Sequence, residues 1–225
     1  MLKLGLDLSV GNNGGWTPNA ESSLVAWFEN KTNVAFQNAP NADKVYYWLS
    51  SHTTNIFISG SVAESPTYDP PSGALRFDPS ATQHMSGSQI SLTGDFTIGI
   101  RLNLIAGVIL GDNTADGEFF RMFSTTKLRV KIDNATAVDL ELDSGFWGDG
   151  YMVVTRESNV LTLWWNGVAQ TTATPTLSGT ADIDSLGIRK LDTNPFEGSI
   201  SEVQIFSSAS DALTKNINLR LASIV

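Results

Sequence analysis

The side chains able to do chemistry are few in this chain, and most have a plain structural explanation. Asp139, Glu141 and Asp143 alternate along one short run. On an extended strand, residues two apart lie roughly 6.5–7 Å from one another on one face. Retaining glycoside hydrolysis needs two carboxyl groups about 5–5.5 Å apart, so spacing alone does not forbid it. The preceding run offers Lys127, Arg129 and Lys131 at the same period, and a ladder of ion pairs across a hairpin accounts for all six charges. A hydroxyl nucleophile would need a base, and the two histidines, His52 and His84, accompany no G-x-S-x-G turn. The absence of cysteine excludes disulfides, thiolate metal sites and thiolate nucleophiles. The segment 111–117, GDNTADG, gathers Asp112, Asn113 and Asp116, oxygen donors of the kind calcium takes. It departs from the D-x-[DN]-x-[DN]-G pattern at Thr114, so a turn between strands is expected there, and no metal or other cofactor.

Recognition is then a better prospect than catalysis. Sugar rings stack on exposed aromatic faces, and six Trp, eleven Phe and four Tyr leave enough for both a core and a platform. Trp147 follows Gly145-Phe146 and precedes Gly148-Asp149-Gly150, a loop composition. Trp164 and Trp165 are adjacent on a strand and must point to opposite faces. Trp165 joins Leu161 and Leu163 toward the core, whereas Trp164 shares its face with Thr162. Trp164 is a platform unless another strand or a terminal helix covers it. The candidate ligand-binding residues are therefore Trp147, Trp164, Asp112, Asn113 and Asp116.

The elements that must position them are strands. Phe96, Ile98, Ile100 and Leu102 alternate with Thr97, Gly99, Arg101 and Asn103. Leu128, Val130 and Ile132 alternate with basic residues, and Val138, Leu140 and Leu142 with acidic ones. If both apolar sets face one way, residue sums across that hairpin are even, and the expected pairs are Lys131–Asp139, Arg129–Glu141 and Lys127–Asp143. Asn166-Gly167 between two apolar runs is a hairpin turn. Strand-like runs recur at 24–28, 56–60, 96–104, 118–123, 127–132, 137–142, 151–156, 160–165, 168–172 and 200–206, a spacing that predicts an antiparallel sandwich or barrel. Residues 29–73 read as a long decorated connection with short strands. One helix is expected at the end, capped by Ser210, with Asp211 in its first turn and Leu213, Ile217 and Leu221 on one stripe. Three regions result: an arm or edge strand at 1–22, the sandwich at 23–209, and a helix at 210–225 packed on it. In the arm, Leu2, Leu4, Leu6 and Leu8 alternate with Lys3, Gly5 and Asp7. Such a strand must find a sheet edge, so these leucines are candidate docking residues.

Length and charge narrow the partners. The chain has 225 residues, 14 Lys plus Arg against 23 Asp plus Glu, and a formal net charge of −9. An acidic balance argues against nucleic acid or an anionic membrane as partner. No apolar run approaches the ~20 residues that span a bilayer. The opening MLKLGLDLSVGNNGG holds one lysine and no long apolar stretch, so no export signal is read there.

The order of four segments resembles the concanavalin A-like lectin/glucanase superfamily in its laminin-G-like branch. These are SLVAWFE (23–29), ALRFDPSATQHMSGSQISLTGDFTIGIRL (74–102), GDGYMVVTRESNVLTLWWNGV (148–168) and PFEGSISEVQIFSSASDA (195–212). The resemblance implies two stacked antiparallel sheets, a jelly-roll type sandwich with loops along its rim. Family members often carry an acidic residue after the isoleucine of the closing strand, where calcium is held, and here Ser201 follows Ile200. The glucanases carry Glu-x-Asp-x-x-Glu, and here Glu141-Leu142-Asp143 is followed at the third position by Phe146. One of the two catalytic carboxylates is thus replaced, and the protein is expected not to be an enzyme. Such domains usually act outside cells, yet no export signal is read. A non-enzymatic structural or decoration subunit of a bacteriophage virion, capsid or tail, meets both conditions, with a homo-oligomer and other virion proteins as partners. A carbohydrate-binding adhesion module for a cell-surface glycan is the alternative, and a glycan-active hydrolase comes third. Incubation with β-glucans should release no reducing sugar above a buffer blank; release abolished by Glu141→Gln would show the non-catalytic expectation wrong.

Overall fold

The computed structural model describes residues 16–38, 40–113, 117–133, 135–145, 147–189 and 193–224. The arm leucines Leu2, Leu4, Leu6 and Leu8 lie outside these residues. The described chain is an all-β antiparallel sandwich with one C-terminal helix.

The first sheet runs β14 (Val168–Gln170), β13 (Val160–Trp165), β12 (Asp149–Glu157), β8 (Phe96–Gly111) and β16 (Glu197–Phe206). Along its other edge β16 pairs first with β6 (Ala74–Phe77), which carries β5 (Thr67–Asp69), and then with β1 (Leu24–Phe28). The second sheet runs β2 (Val34–Phe36), β3 (Val45–Leu49), β4 (Ile56–Ile58), β7 (Met85–Leu92), β15 (Ala181–Leu186), the 107–111 segment of β8, β9 (Phe119–Met122), β10 (Lys127–Lys131) and β11 (Val138–Glu141). β8 therefore belongs to both layers. Ala106 still pairs with Glu197, while Gly107 pairs with Met122. Gly107 has φ 87, and a Cβ there would stand 2.0 Å from the Pro195 carbonyl oxygen, so only glycine fits the crossing.

The inward faces meet in one core containing Phe28, Trp48, Phe57, Leu75, Ile98, Ile100, Leu128, Val154 and Leu163. Period-two burial follows the apolar alternation along β10, where Leu128 and Val130 are inward and Lys127, Arg129 and Lys131 are outward. A buried arginine closes one end. Arg156, 1% exposed, donates to the carbonyls of Leu92 (3.1 Å), Gly94 and Gly179 (2.8 Å), and so ties two loops across the sheets.

The charged hairpin forms with the expected parity and a different offset. The pairs are Lys127↔Glu141, Leu128↔Leu140, Arg129↔Asp139 and Val130↔Val138. Sums are even, so both apolar sets face the core, but the ladder lies two residues from the expected one. The ion pairs are Arg129–Asp139 (2.6 Å) and Lys127–Glu141 (3.6 Å). The displaced acid explains the offset. Asp143 accepts from the backbone amides of Thr171 (2.8 Å) and Thr172 (2.6 Å) beyond β14, and its own amide donates to Gln170 Oε1 (2.8 Å). Two amides serve a carboxylate better than one flexible exposed lysine does. Asp143 thereby becomes a strap from one sheet to the other.

These bonds, from Thr172 first and then Thr171, hold the Asp143 carboxyl down to about 2, against an ordinary 3.8. A carboxyl lowered by folding contributes stability that is present above its unfolded value and lost as pH falls through the folded one. The strap should therefore weaken between about pH 3.8 and about pH 2. Urea midpoints for Asp143→Asn should fall below wild type at neutral pH and converge with it near pH 2; a constant gap across that window would show that the charge is not what holds the strap.

Candidate functional site

The outer face of the first sheet is built to receive a helix. Ser210 caps α1 (Asp211–Ala222) by accepting from the Leu213 amide at 3.2 Å, and Asp211 sits in its first turn. Leu213, Ile217 and Leu221 then enter a second apolar cluster with Leu24, Trp27, Val153 and Phe206. Gly99 gives β8 the clearance for this, since a Cβ there would stand 2.4 Å from Ile217 Cγ2.

A bulge in β16 makes the other half of the seat. Ile200 pairs with Leu102, but Glu202 pairs with Arg101, so Ser201 is the extra residue. The parity of the strand changes there. Ile200, Val203 and Ile205 face the main core, whereas Phe206 joins the helix cluster and Glu202 lies beneath the helix. Glu202 is fully buried and accepts from Trp27 Nε1 (3.1 Å), Gln204 Nε2 (2.7 Å), the Asn30 amide (3.3 Å) and Arg220 (Nη2 3.0 Å, Nε 3.1 Å). Arg220 also reaches Glu29 at 3.4 Å. Burial works against the Arg220 charge, but the bond to Glu202 and the charges of Glu202 and Glu29 outweigh it and raise the guanidinium above its ordinary value. Glu202, beside the bulged Ser201, thus fastens α1.

With α1 fixed, a cleft of about 250 Å³ remains between the helix and the β12–β13 hairpin. Tyr151, Trp164 and Gly167 form its sheet side, and Asp211, Lys215, Asn218, Leu219 and Ala222 its helix side. Trp164 is half-buried, and its indole N–H bonds to no other described residue. Asn218 is 8% exposed; its amide nitrogen donates to Thr214 O (2.9 Å), and its amide oxygen is buried without a partner. Burial raises the Tyr151 hydroxyl above its usual range, the Arg101 charge opposing. Gly167, at φ 81, is the turn glycine of the Asn166-Gly167 hairpin. A Cβ there would stand 3.1 Å from the Tyr151 hydroxyl, so the turn keeps the cleft mouth open. The arrangement combines two aromatic faces with an acid, a base and an amide, which suits a ligand that is apolar on its ring faces and polar on its edges.

Of the described candidate ligand-binding residues, Trp164 lines this cleft and Trp147, Asp112 and Asn113 do not. The helix covers part of Trp164, which packs against the cluster that Leu213, Ile217 and Leu221 enter, and the exposed side of α1 forms the opposite wall. Trp147 lies in the coil between β11 and β12 but is 8% exposed. Its Nε1 donates to Ser124 O (3.1 Å), and its ring meets Trp165 edge to face at 5.1 Å, so it is a core residue and no platform. Asp112 is 3% exposed, turned inward, and the Asn113 amide donates to Asp184 Oδ1 (2.7 Å). Burial and the nearby Asp112 charge push the Asp184 carboxyl up, the Asn113 bond opposing. Asp116 lies outside the described residues. Among the described residues no group of three or more His, Asp or Glu side chains is placed to hold a metal ion. Tyr151, Lys215 and Asn218 were missed, because only the docking of α1 brings them beside Trp164. A larger groove of about 500 Å³ lies along β6, β8 and β16, but its one aromatic ring, Phe77, is 5% exposed and presents no face.

No protein-family model matches the sequence, and no curated protein sequence is similar to it. Solved structures do match. Trypanosoma rangeli sialidase in complex with the inhibitor DANA aligns at 12% identity and TM-score 0.58, over 93% of this chain and 35% of that one. The same sialidase in complex with sialic acid aligns at 11% identity and TM-score 0.57, over 90% and 33%. A heptameric SAP-like pentraxin from Limulus polyphemus aligns at 11% identity and TM-score 0.45, over 60% and 75%, too loosely to support an argument. The chain spans about a third of the length of the sialidase chains. At these identities the likeness is one of fold, an antiparallel β-sandwich consistent with the concanavalin A-like resemblance.

Removing the helix fastener should be costly. Arg220→Met leaves the Glu202 charge buried without its cation, and denaturant unfolding should show a loss of about 3–5 kcal/mol. Arg220→Met combined with Glu202→Gln should recover part of that loss. A loss under about 1 kcal/mol in the single variant would mean that the pair is not what secures α1.

Proposed function

We propose that the chain is a non-catalytic carbohydrate-binding module whose saccharide site is the cleft between Trp164, Tyr151 and α1. The observation that carries this is the partly exposed Trp164 ring, its N–H bonded to no other described residue, lining a cleft of about 250 Å³ with Lys215 and Asn218. Sugar C–H faces stack on aromatic rings, and their hydroxyls take hydrogen bonds from short polar side chains. The fold supports the reading, since Trypanosoma rangeli sialidase, a protein solved with sialic acid, contains a region of this fold. The non-catalytic part rests on the carboxylates of the charged hairpin. Asp139 is held by Arg129, Glu141 by Lys127 and Asp143 by backbone amides, so each is engaged in the architecture.

The virion-subunit reading set a fold type that usually acts outside cells against the opening residues of the chain; those residues, with the candidate docking leucines Leu2, Leu4, Leu6 and Leu8, lie outside the described ones, and among the described residues no feature favours it. The two readings are compatible, because a particle-borne subunit that meets a cell surface is served by a glycan site. The cleft is the feature that can be tested directly. On an array of neutral oligosaccharides the protein should retain a defined subset. Trp164→Ala should weaken the best of these about tenfold or more, a change of ~1.4 kcal/mol or greater, while circular dichroism stays that of wild type. No retained glycan, or equal binding by a folded Trp164→Ala, would overturn the reading.

A further inference from the structure

The opposite outer face, that of the second sheet, carries an unusual arrangement of cations. Phe119 and Arg121 of β9 point away from Phe120 and Met122, which enter the core. Phe123 continues the outward row and is 44% exposed. Arg189 arrives from the loop after β15. Its guanidinium stands 4.6 Å from the centroid of the Phe119 ring, and that of Arg121 stands 5.4 Å from the same ring and 5.4 Å from Phe123. Two positive charges thus share one aromatic support. A third, Arg129, lies over Phe123 at 3.3 Å but is held by both oxygens of Asp139 (2.6 and 2.9 Å).

Among the described residues neither Arg121 nor Arg189 takes part in an ion pair. Arg121 donates from Nη1 to Asn194 Oδ1 at 2.9 Å, which fixes the fork without neutralising it. The Nε of each arginine is buried and has no hydrogen-bond partner. Buried donors are normally satisfied, so two orphans at one place need an explanation. The chain holds 23 acidic residues against 14 basic ones, yet the described carboxylate whose charge reaches Arg121, Asp139, is already bound by Arg129 and forms no ion pair with Arg121. Burial first, and then the neighbouring charges of Arg189 and Arg129, hold Arg121 below its ordinary value. Guanidinium forks match oxyanions with two parallel hydrogen bonds, and aromatic support pre-orients them.

We infer that Arg121 and Arg189 form a receptor for an oxyanion carried on a saccharide, the carboxylate of a uronic acid or a sulfate ester, with Phe123 beside it. The oxyanion rests on the two arginines. The saccharide as its carrier rests on the glycan-binding reading above, extended to a second face of the sandwich.

Titration of the whole chain with trigalacturonate, sulfated dextran and neutral dextran tests this. One acidic probe should bind, and its identity assigns carboxylate or sulfate as the oxyanion. Arg121→Gln with Arg189→Gln should weaken that binding about tenfold or more, and added salt should weaken it in wild type. Arg76→Gln removes a charge from the first sheet, where the side chain is 64% exposed beside Asp69; it should change binding by less than about twofold, as expected of a remote screened charge. If the double variant does not fold, Arg189→Gln alone, in a loop, carries the comparison. Neither acidic probe binding above neutral dextran, an equal loss in Arg76→Gln, or wild-type affinity in the folded arginine variants would overturn the inference. Trp164→Ala should leave acidic binding unchanged, so the cleft and the arginine site fail independently.

Discussion

A strand of sixteen residues cannot lie in one sheet and still line both layers unless its backbone turns between them. In β8 that turn falls between Ala106 and Gly107, and the glycine is obligatory because the Pro195 carbonyl occupies the space of a side chain. Much else follows from the crossing. Residues 96–106 carry β12 on one side and β16 on the other, and the 107–111 segment carries β9 and β15. Through these partners the candidate cleft and the arginine pair come to lie on opposite outer faces of one core.

Two fully buried charges, Arg156 and Glu202, are met by several hydrogen bonds each, the condition under which a desolvated ion is tolerable. Arg156 spends its guanidinium on loop carbonyls, and Glu202 accepts from Trp27, Gln204, Asn30 and Arg220. Both act as fasteners between elements far apart in sequence. The bulge at Ser201 serves the second of them, since if residues 200–203 paired as a regular strand Glu202 would turn into the apolar core and Val203 out of it.

The legible part of this fold was the part with strict periodicity. The alternation in β8, β10 and β11 and the Ser210 cap with its leucine stripe identify their elements because each buries one face against a continuous apolar partner. β7 and β15 escaped notice. MSGSQISL buries Met85, Ile90 and Leu92 at broken spacing, and ADIDSL alternates over a short run in which the buried positions include Ala181 and Ser185, a weak apolar signal. Parity in the charged hairpin was legible, but the offset was not, because it depends on amides beyond β14 that claim Asp143. The same holds for the candidate site. Trp164 could be marked from strand parity alone, whereas Lys215 and Asn218 enter only through the docking of α1, and Trp147, in the loop its neighbours predict, is buried there by packing on Trp165 and a bond to Ser124 that composition does not reveal.

The helix separates two jobs by face. Leu213, Ile217 and Leu221 point into the sheet and carry the packing, while Asp211, Lys215 and Leu219 are exposed and border the cleft. Exchanges at such exposed positions usually alter stability by no more than about 0.5 kcal/mol. The chemistry of the cleft wall is therefore nearly uncoupled from the integrity of the fold. Selection for a new ligand could rewrite that wall residue by residue without a compensating change in the core, and the same scaffold would serve as a neutral starting point for engineering.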